Sequence, residues 1–245
     1  MSEENTNPAA FHTTRWTMVM RARGEAPEAR AALGELCENY WTPVFQFLRR
    51  EGKDEDQSRE LTQEFFSRVL SGGGIEGADP GKGRFRSYLL GALKHFLAKQ
   101  RRDAGRMKRG GDAVVESMDT GGSETSPGFQ VADSEAHLKD PFFDRHWAMA
   151  VIQRGLTSVE KSYSTGAKAK QFELLKPWLM GDAEGTTQAE VAAELGMTPG
   201  AVKVAIHRFR HKFGEAIRSE IAETVDTEAE IQEELRYLIE VLHSR

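Results

Sequence analysis

The segment 186–213 constrains the fold of this 245-residue chain more than any other stretch does. Thr187, followed three residues later by a glutamate, forms a capping box, which predicts that a helix begins there. Gly196 predicts a tight turn that ends this helix. Thr198 can cap a second helix, and Pro199 suits its first position because the missing N–H is not needed there. The segment therefore predicts two helices joined by a short turn.

The second of these predicted helices has one apolar face and one polar face. Its apolar residues recur at helical spacing and should face a core: Val202, Ile206, Phe209 and Phe213. Small and cationic residues occupy the N-terminal end and the opposite face: Thr198, Gly200, Lys203, Val204, His207, Arg208 and His211, with Arg210 beside them. This pattern is typical of a helix-turn-helix, whose second helix enters the major groove of DNA. A structural helical hairpin with a basic outer face is the alternative.

Charge is strongly segregated along the chain, although the net charge at pH 7 is only −5. Residues 82–109 contain ten basic residues and a single acid, which gives a net charge of +9. Residues 111–144 and 220–240 each carry a net charge of −7. A second basic stretch, residues 198–212, contains four basic residues and no acid. The two basic stretches indicate two anion-binding surfaces, with solvated helix faces as the alternative. The acidic stretches are expected either to compete with DNA or only to keep the surface hydrated.

Apolar periodicity predicts helices throughout the N-terminal half. One helix should begin at Pro27 and end or kink at Pro43, and two more should cover about 57–70 and about 84–104. The second helix has an acidic and polar face formed by Asp56, Glu60, Gln63 and Glu64. The third helix combines its basic residues with three aromatic ones, Phe85, Tyr88 and Phe96. These rings belong either to the core or to a surface that stacks on bases.

A stretch rich in glycine, serine, threonine and aspartate divides the chain and lacks periodic apolar spacing. The sequence thus predicts an all-α fold with two small helical domains joined by a flexible acidic linker, the second domain containing the helix-turn-helix. The predicted boundaries are 1–24 for a tail and short helix, 25–109 for the first domain, 110–141 for the linker, 142–220 for the second domain and 221–245 for an acidic helical extension.

Several classes of protein are excluded by composition and motif. The single Cys37 excludes an internal disulfide framework and a multi-cysteine zinc site. No apolar run approaches the ~18 residues of a membrane span, and no secretory signal is visible, so a cytoplasmic protein is expected. No metal or cofactor is expected either. The glycine-rich loop 71–83 departs from a phosphate-binding loop because Gly83, not Ser or Thr, follows Lys82. An enzyme is therefore not expected.

Three segments, in this order, resemble those of a bacterial RNA polymerase sigma factor of the extracytoplasmic-function class (sigma-70 family, group 4). Residues 54–70, DEDQSRELTQEFFSRVL, resemble the helix that docks on the clamp helices of the polymerase β′ subunit. Residues 85–103, FRSYLLGALKHFLAKQRRD, resemble the helix that reads the minus-ten promoter element. Residues 186–213 resemble the reader of the minus-thirty-five element. The resemblance covers roughly 25–105 and 145–220.

The resemblance implies a role for each set of residues. Polymerase binding would fall to Asp56, Glu60, Gln63 and Glu64. Minus-ten binding would fall to Lys94 and His95 as base readers and to Arg84, Arg86, Lys99, Arg101 and Arg102 at phosphates, with loop 71–83 holding a flipped base. Minus-thirty-five binding would fall to Thr198, Gly200, Lys203, Val204, His207, Arg208, Arg210 and His211. The implied partners are core RNA polymerase and promoter DNA, with an anti-sigma factor as a further candidate and no membrane.

A one-component transcriptional regulator is the main rival interpretation. It would share the helix-turn-helix, but it would bind DNA without needing polymerase. It explains the +9 stretch and the acidic helix less well.

Overall fold

The computed structural model describes residues 19, 21–22, 27–71, 78, 84–108, 140–164, 166–179, 181, 185–225 and 227–243. Within these ranges every regular element is helical and there is no strand, so the predicted all-α class is confirmed. The α-helices are α1 (Pro27–Arg50), α2 (Glu55–Ser71), α3 (Phe85–Lys108), α4 (Pro141–Lys161), α5 (Ala167–Leu175), α6 (Gln188–Leu195), α7 (Pro199–Ala222) and α8 (Glu228–His243). A short 3₁₀ helix, Lys176–Trp178, follows α5.

Helix α1 continues through Pro43, so of the two predicted outcomes, an end or a kink, the end is wrong. A proline inside a helix lacks the N–H that would bond to the carbonyl four residues earlier, here that of Asn39. In this structure the Arg154 guanidinium on α4 donates to the Asn39 carbonyl oxygen over 3.0 Å. Arg154 also pairs with the Glu220 carboxylate on α7, 2.6 Å away. The bond lost at Pro43 is thus replaced by one from a neighbouring helix, and α1 continues to Arg50.

Helix α4 is the central element of the bundle, because it packs against α1, α7 and α8. The contact with α1 includes the rings of Phe47 and Phe143, which meet edge to face with their centroids 6.1 Å apart. The contact with α7 is close at Gly155, where an added Cβ would lie only 3.0 Å from Cγ1 of Ile217. An added Cβ at position 155 would therefore require the Ile217 side chain to shift by a few tenths of an ångström.

The start of α4 is fastened to the end of α1. The Asp140 carboxylate caps α4 by accepting from the N–H groups of Phe142 and Phe143. Arg50, in the last turn of α1, donates two bonds to the same carboxylate, at 2.7 and 2.6 Å. Burial alone would raise the pKa of Asp140, but the bonds from Arg50 and Phe143 outweigh burial and lower that pKa. The carboxylate therefore stays ionised as both a cap and an ion-pair partner.

The described helices share one continuous apolar core, which runs from α1–α3 through α4 to α6–α8. All the predicted inward residues of α3 are buried, namely Phe85, Leu89, Ala92, Leu93 and Phe96. The division into two domains stays a prediction, since both predicted domains contribute to this one core. The predicted linker lies outside the described residues up to position 139, as do most of the N-terminal tail and most of loop 71–83.

We expect the stabilising effect of Arg154 to depend on the proline in α1. Arg154→Met removes the donor that α4 supplies to the Asn39 carbonyl, whereas Pro43→Ala restores an N–H to the helix. Arg154→Met should therefore cost about 1 kcal/mol more stability in the native chain than in the Pro43→Ala background, as measured by urea unfolding of all four chains. The lost pair with Glu220 cancels between the two backgrounds. Equal costs in both would show that Arg154 does not serve Asn39.

Candidate nucleic-acid interface

Helices α6 and α7 are joined by the turn that the sequence predicts. The Thr187 hydroxyl accepts from the Glu190 N–H at 3.2 Å, and the Glu190 carboxylate accepts from the Thr187 N–H at 2.7 Å, which completes the capping box. Gly196 ends α6 in the left-handed region with φ of 62°, a conformation that glycine adopts without strain. Thr198 then caps α7 by accepting from the Ala201 N–H. Each of these caps depends on residues within a few positions of the turn.

The outer face of α7 is exposed along its N-terminal half. Exposed side chains or positions include all those predicted for the minus-thirty-five set: Thr198, Gly200, Lys203, Val204, His207, Arg208, Arg210 and His211. Val204 is an apolar residue that is 49% exposed among these polar neighbours. A groove of about 540 Å³ runs beside this face, and its lining includes Lys168, Arg208 and Lys212. The face thus combines cations, slim residues and one accessible apolar side chain.

Arg210 differs from the other members of this set, because its guanidinium bonds to the protein itself. Its Nε donates to the Trp178 carbonyl at 2.7 Å, and its Nη2 donates to the Gly181 carbonyl at 2.6 Å. These bonds fasten the segment after the 3₁₀ helix to α7. The structure gives Arg210 a positioning role beside the outer face, where the sequence predicts a contact with the DNA backbone.

The basic helix α3 is exposed only toward its C-terminal end. His95, Lys99, Arg101 and Arg102 are exposed, and Lys94 is half-buried. Arg101 also pairs with Glu51, which directly follows α1. Phe85 and Phe96 are fully packed in the core, so they cannot stack on bases from this position, while Tyr88 is half-buried against the same core. Among the described side chains, the fully exposed part of α3 therefore carries cations and no aromatic ring.

The N-terminal end of α3 is covered, so Arg86, which is predicted to contact a phosphate, is buried in this arrangement. Arg86 is only 7% exposed, and its Nε donates to the Asp144 carboxylate at 3.2 Å. Its Nη1 donates to Glu234 of α8. Arg84, half-buried at the residue before α3, pairs with Glu233 at 2.8 Å and also with Glu234. Arg86 has no path to a DNA phosphate in this arrangement, because α4 and α8 already surround its guanidinium.

Two aromatic rings complete the enclosure of Arg86. Its guanidinium carbon lies 4.6 Å from the Trp147 ring centroid and 4.5 Å from that of Tyr237. Burial alone would lower the pKa of Arg86, but the Glu234 and Asp144 carboxylates raise it, so the guanidinium stays charged. Burial and a 2.7 Å hydrogen bond to Asp144 raise the pKa of Tyr237 to about 12, so its hydroxyl remains a donor. We call this set, Arg84, Arg86, Asp144, Glu233, Glu234 and Tyr237, the arginine cluster.

The acidic face of α2 is open to solvent except at one position. Asp56, Glu60 and Gln63 are exposed, as the sequence predicts. Glu64 is half-buried, because it accepts from Arg68 and from the Gln100 amide of α3 at 2.8 Å. Beside Gln63 lies an apolar groove of about 640 Å³, where Trp41 stacks on Phe66 with the ring centroids 5.9 Å apart. The face thus joins carboxylates to a partly exposed tryptophan.

Helix α8 carries features that the sequence analysis did not identify. Thr227 and Glu230 form a second capping box, with Glu230 accepting from the Thr227 N–H at 2.8 Å. The pattern T-x-x-E at 227–230 is the sequence signal for it. The buried position of Arg86 also had a signal, since Leu90 and Leu93 follow it at helical spacing and share its face. The carboxylates that receive it lie far away in the chain and have no such local signal.

Comparisons of this chain with protein-family models, with curated proteins and with solved structures find no match.

In the described part of the chain, no helix combines the length and apolar character that crossing a bilayer requires.

We expect Arg86→Leu to destabilise the protein by about 3–5 kcal/mol, because Asp144 would remain buried without its cation and Glu234 would keep only its pair with Arg84. The matched control is Arg102→Leu on the exposed end of the same helix, where the change should stay within about 0.5 kcal/mol. Thermal and urea unfolding of both variants measure the difference. Similar small losses for both would contradict the structural role assigned to Arg86.

Proposed function

We propose that this protein is a promoter-specificity (sigma) factor, which binds core RNA polymerase and directs it to minus-thirty-five and minus-ten promoter elements. In this proposal the α6–α7 unit is the helix-turn-helix of the second domain. The exposed end of α3 meets the minus-ten strand, and the acidic face of α2 meets the clamp of the β′ subunit. Promoter DNA and polymerase are then the partners, and an anti-sigma factor is a further candidate partner.

The exposed face of α7 is the observation that carries the proposal. Lys203, His207 and Arg208 project from a helix whose entry is fixed by Gly196 and Thr198. Lysine and arginine bind phosphates or guanine edges in a major groove, and a slim N-terminal end allows the helix to enter it. Val204 adds an apolar contact of the kind that a thymine methyl group makes. These features support duplex binding whether or not polymerase is present.

The acidic face of α2 supports polymerase as the second partner. Asp56 and Glu60 are exposed one helical turn apart, and the groove at Trp41 lies beside Gln63. Carboxylates around a partly exposed aromatic ring suit a basic protein surface better than a nucleic acid, which they would repel. A regulator that binds only DNA would not use this acidic face.

The mechanism in this proposal is binding and not bond chemistry. Unstacking a base costs a few kcal/mol, and contacts to a flipped base return about 1–3 kcal/mol each. The balance is close to zero, so a melted promoter needs the additional contacts of polymerase. The protein would supply orientation and capture the open strand with His95, Lys99 and Arg102, which are exposed along α3.

The proposal also requires the helices to separate on a promoter. Two elements about 25 base pairs apart are separated by ~85 Å along duplex DNA at ~3.4 Å per pair. A compact chain of 245 residues has a diameter of only about 45 Å. Surfaces on α3 and α7 that belong to one core cannot reach both elements together. Binding to both therefore means that α1–α3 part from α4–α7.

We expect Lys203→Ala combined with Arg208→Ala to weaken duplex binding and to reduce the slope of log affinity against log salt by up to about 1.8. Each lost cation removes one neutralised phosphate from the complex. Fluorescence anisotropy with a labelled duplex at several salt concentrations measures both quantities. The control, Lys53→Ala with Arg59→Ala, removes two positive charges distant from α7 along the chain and should leave the slope unchanged. An unchanged slope in the α7 variant would mean that another surface holds the duplex.

We expect Asp56→Lys combined with Glu60→Lys to weaken binding to core RNA polymerase by at least about ten-fold, since each reversal replaces attraction with repulsion. Both residues are exposed, so the fold and the duplex affinity should not change. The control is Glu160→Lys with Glu173→Lys, which makes the same charge change on α4 and α5. Polymerase pull-down and in vitro transcription measure the result. A chain that binds duplex but never polymerase would instead be a one-component regulator.

A further inference from the structure

We propose that helix α8 competes with DNA for the arginines at the N-terminal end of α3. Glu233 and Glu234 of α8 occupy these arginines within the same chain. This inference rests on the proposed function, because it concerns the availability of the proposed minus-ten surface. It assigns the acidic end of the chain a regulatory site on the chain itself. The competing ligand is the phosphate backbone of DNA, so binding of α8 and binding of DNA at this site exclude each other.

The attachment of α8 is asymmetric. Its apolar side chains Ile231, Leu238 and Val241 are buried, and the helix packs against α4 and α7. Arg218 of α7 pairs with Glu228 in its first turn. In addition, Glu233 and Glu234 form ion pairs with Arg84, just before α3, and with Arg86 in its first turn. Helix α8 thus belongs with α4 and α7 and holds α3 mainly through charge.

The same guanidiniums cannot bind a carboxylate and a phosphate at once. Both anions accept hydrogen bonds from the same N–H groups of arginine, and two oxygens of either anion fit the planar guanidinium. Arg84 lies at the boundary of this contact, with a side chain that is 28% exposed and a partner, Glu233, that is 52% exposed. A DNA strand approaching along the exposed cations of α3 would therefore meet Arg84 first and replace Glu233.

Separation of the two helical groups gives the competition its consequence. If α4–α7 leave α3, then α8 leaves with them, and Arg84 and Arg86 become accessible. In the closed arrangement the exposed cations of α3, among its described residues, lie toward its C-terminal end. The protein with its helices packed together should therefore bind single-stranded promoter DNA weakly. Its α7 remains free to bind duplex DNA. Polymerase and promoter together would shift the equilibrium toward the open form, since each binds that form more tightly.

The test uses the full chain and two labelled DNA probes, a plain duplex and a fork with single-stranded arms. Glu233→Gln should tighten fork binding about two- to five-fold, the range expected for removing one exposed competing ion pair. Duplex binding should stay the same. Glu240→Gln on the same helix is the control for the general loss of one negative charge, and it should change neither affinity.

A variant of Arg84 shows whether the tighter fork binding of Glu233→Gln acts through this arginine. In an Arg84→Gln background the gain from Glu233→Gln should disappear, because no competition for that guanidinium is left. A gain that persists there, or that equals the effect of Glu240→Gln, would overturn the competitor assignment. Duplex binding with no specific effect of Glu233→Gln on the fork would overturn it and leave the proposed function standing. Failure of the native chain to bind either probe would overturn both.

Discussion

The structure depends on the burial of one guanidinium, that of Arg86. A buried cation is tolerated only where carboxylates and hydrogen bonds compensate for the lost water, and here Asp144, Glu234 and the ring of Tyr237 do so. These partners come from α4 and α8, so the arginine cluster joins α3 to both of those helices. The burial of the Arg86 guanidinium thus holds the N-terminal end of α3 against its own chain instead of leaving it open to solvent.

A second polar contact shows the same dependence in α1. Pro43 removes a hydrogen bond inside the helix, and Arg154 of α4 replaces it at the Asn39 carbonyl. Together with the Arg50–Asp140 pair, this contact means that the α1–α4 interface is specified by directed bonds as well as by apolar area. Directed bonds require one register of the two helices, whereas apolar area alone tolerates sliding. An interface of this kind opens as a unit.

The sequence predicts the local features of this protein well and the distant ones poorly. The capping box at Thr187, the turn at Gly196 and the buried face of α3 are confirmed because each depends on residues within a few positions. The predicted end of α1 at Pro43 is excluded, and the predicted phosphate contact of Arg86 is blocked in this arrangement, both because distant groups accommodate these residues. The donor to the Asn39 carbonyl lies 115 positions away in the chain, and the two carboxylates at Arg86 lie 58 and 148 positions away. The sequence-based assignment of DNA contacts on α7 and of polymerase contacts on α2 stays a prediction.

The hydrogen bond between Glu64 and Gln100 has a mechanical consequence. It links α2 to α3 over 2.8 Å, and the rings of Phe65 and Phe96, 5.7 Å apart, reinforce the link. Gln100 lies in the same turn as Lys99 and Arg101, while Glu64 adjoins the solvent-facing Gln63. These contacts therefore oppose any rotation of the carboxylate side of this helix pair that does not also move its cationic side.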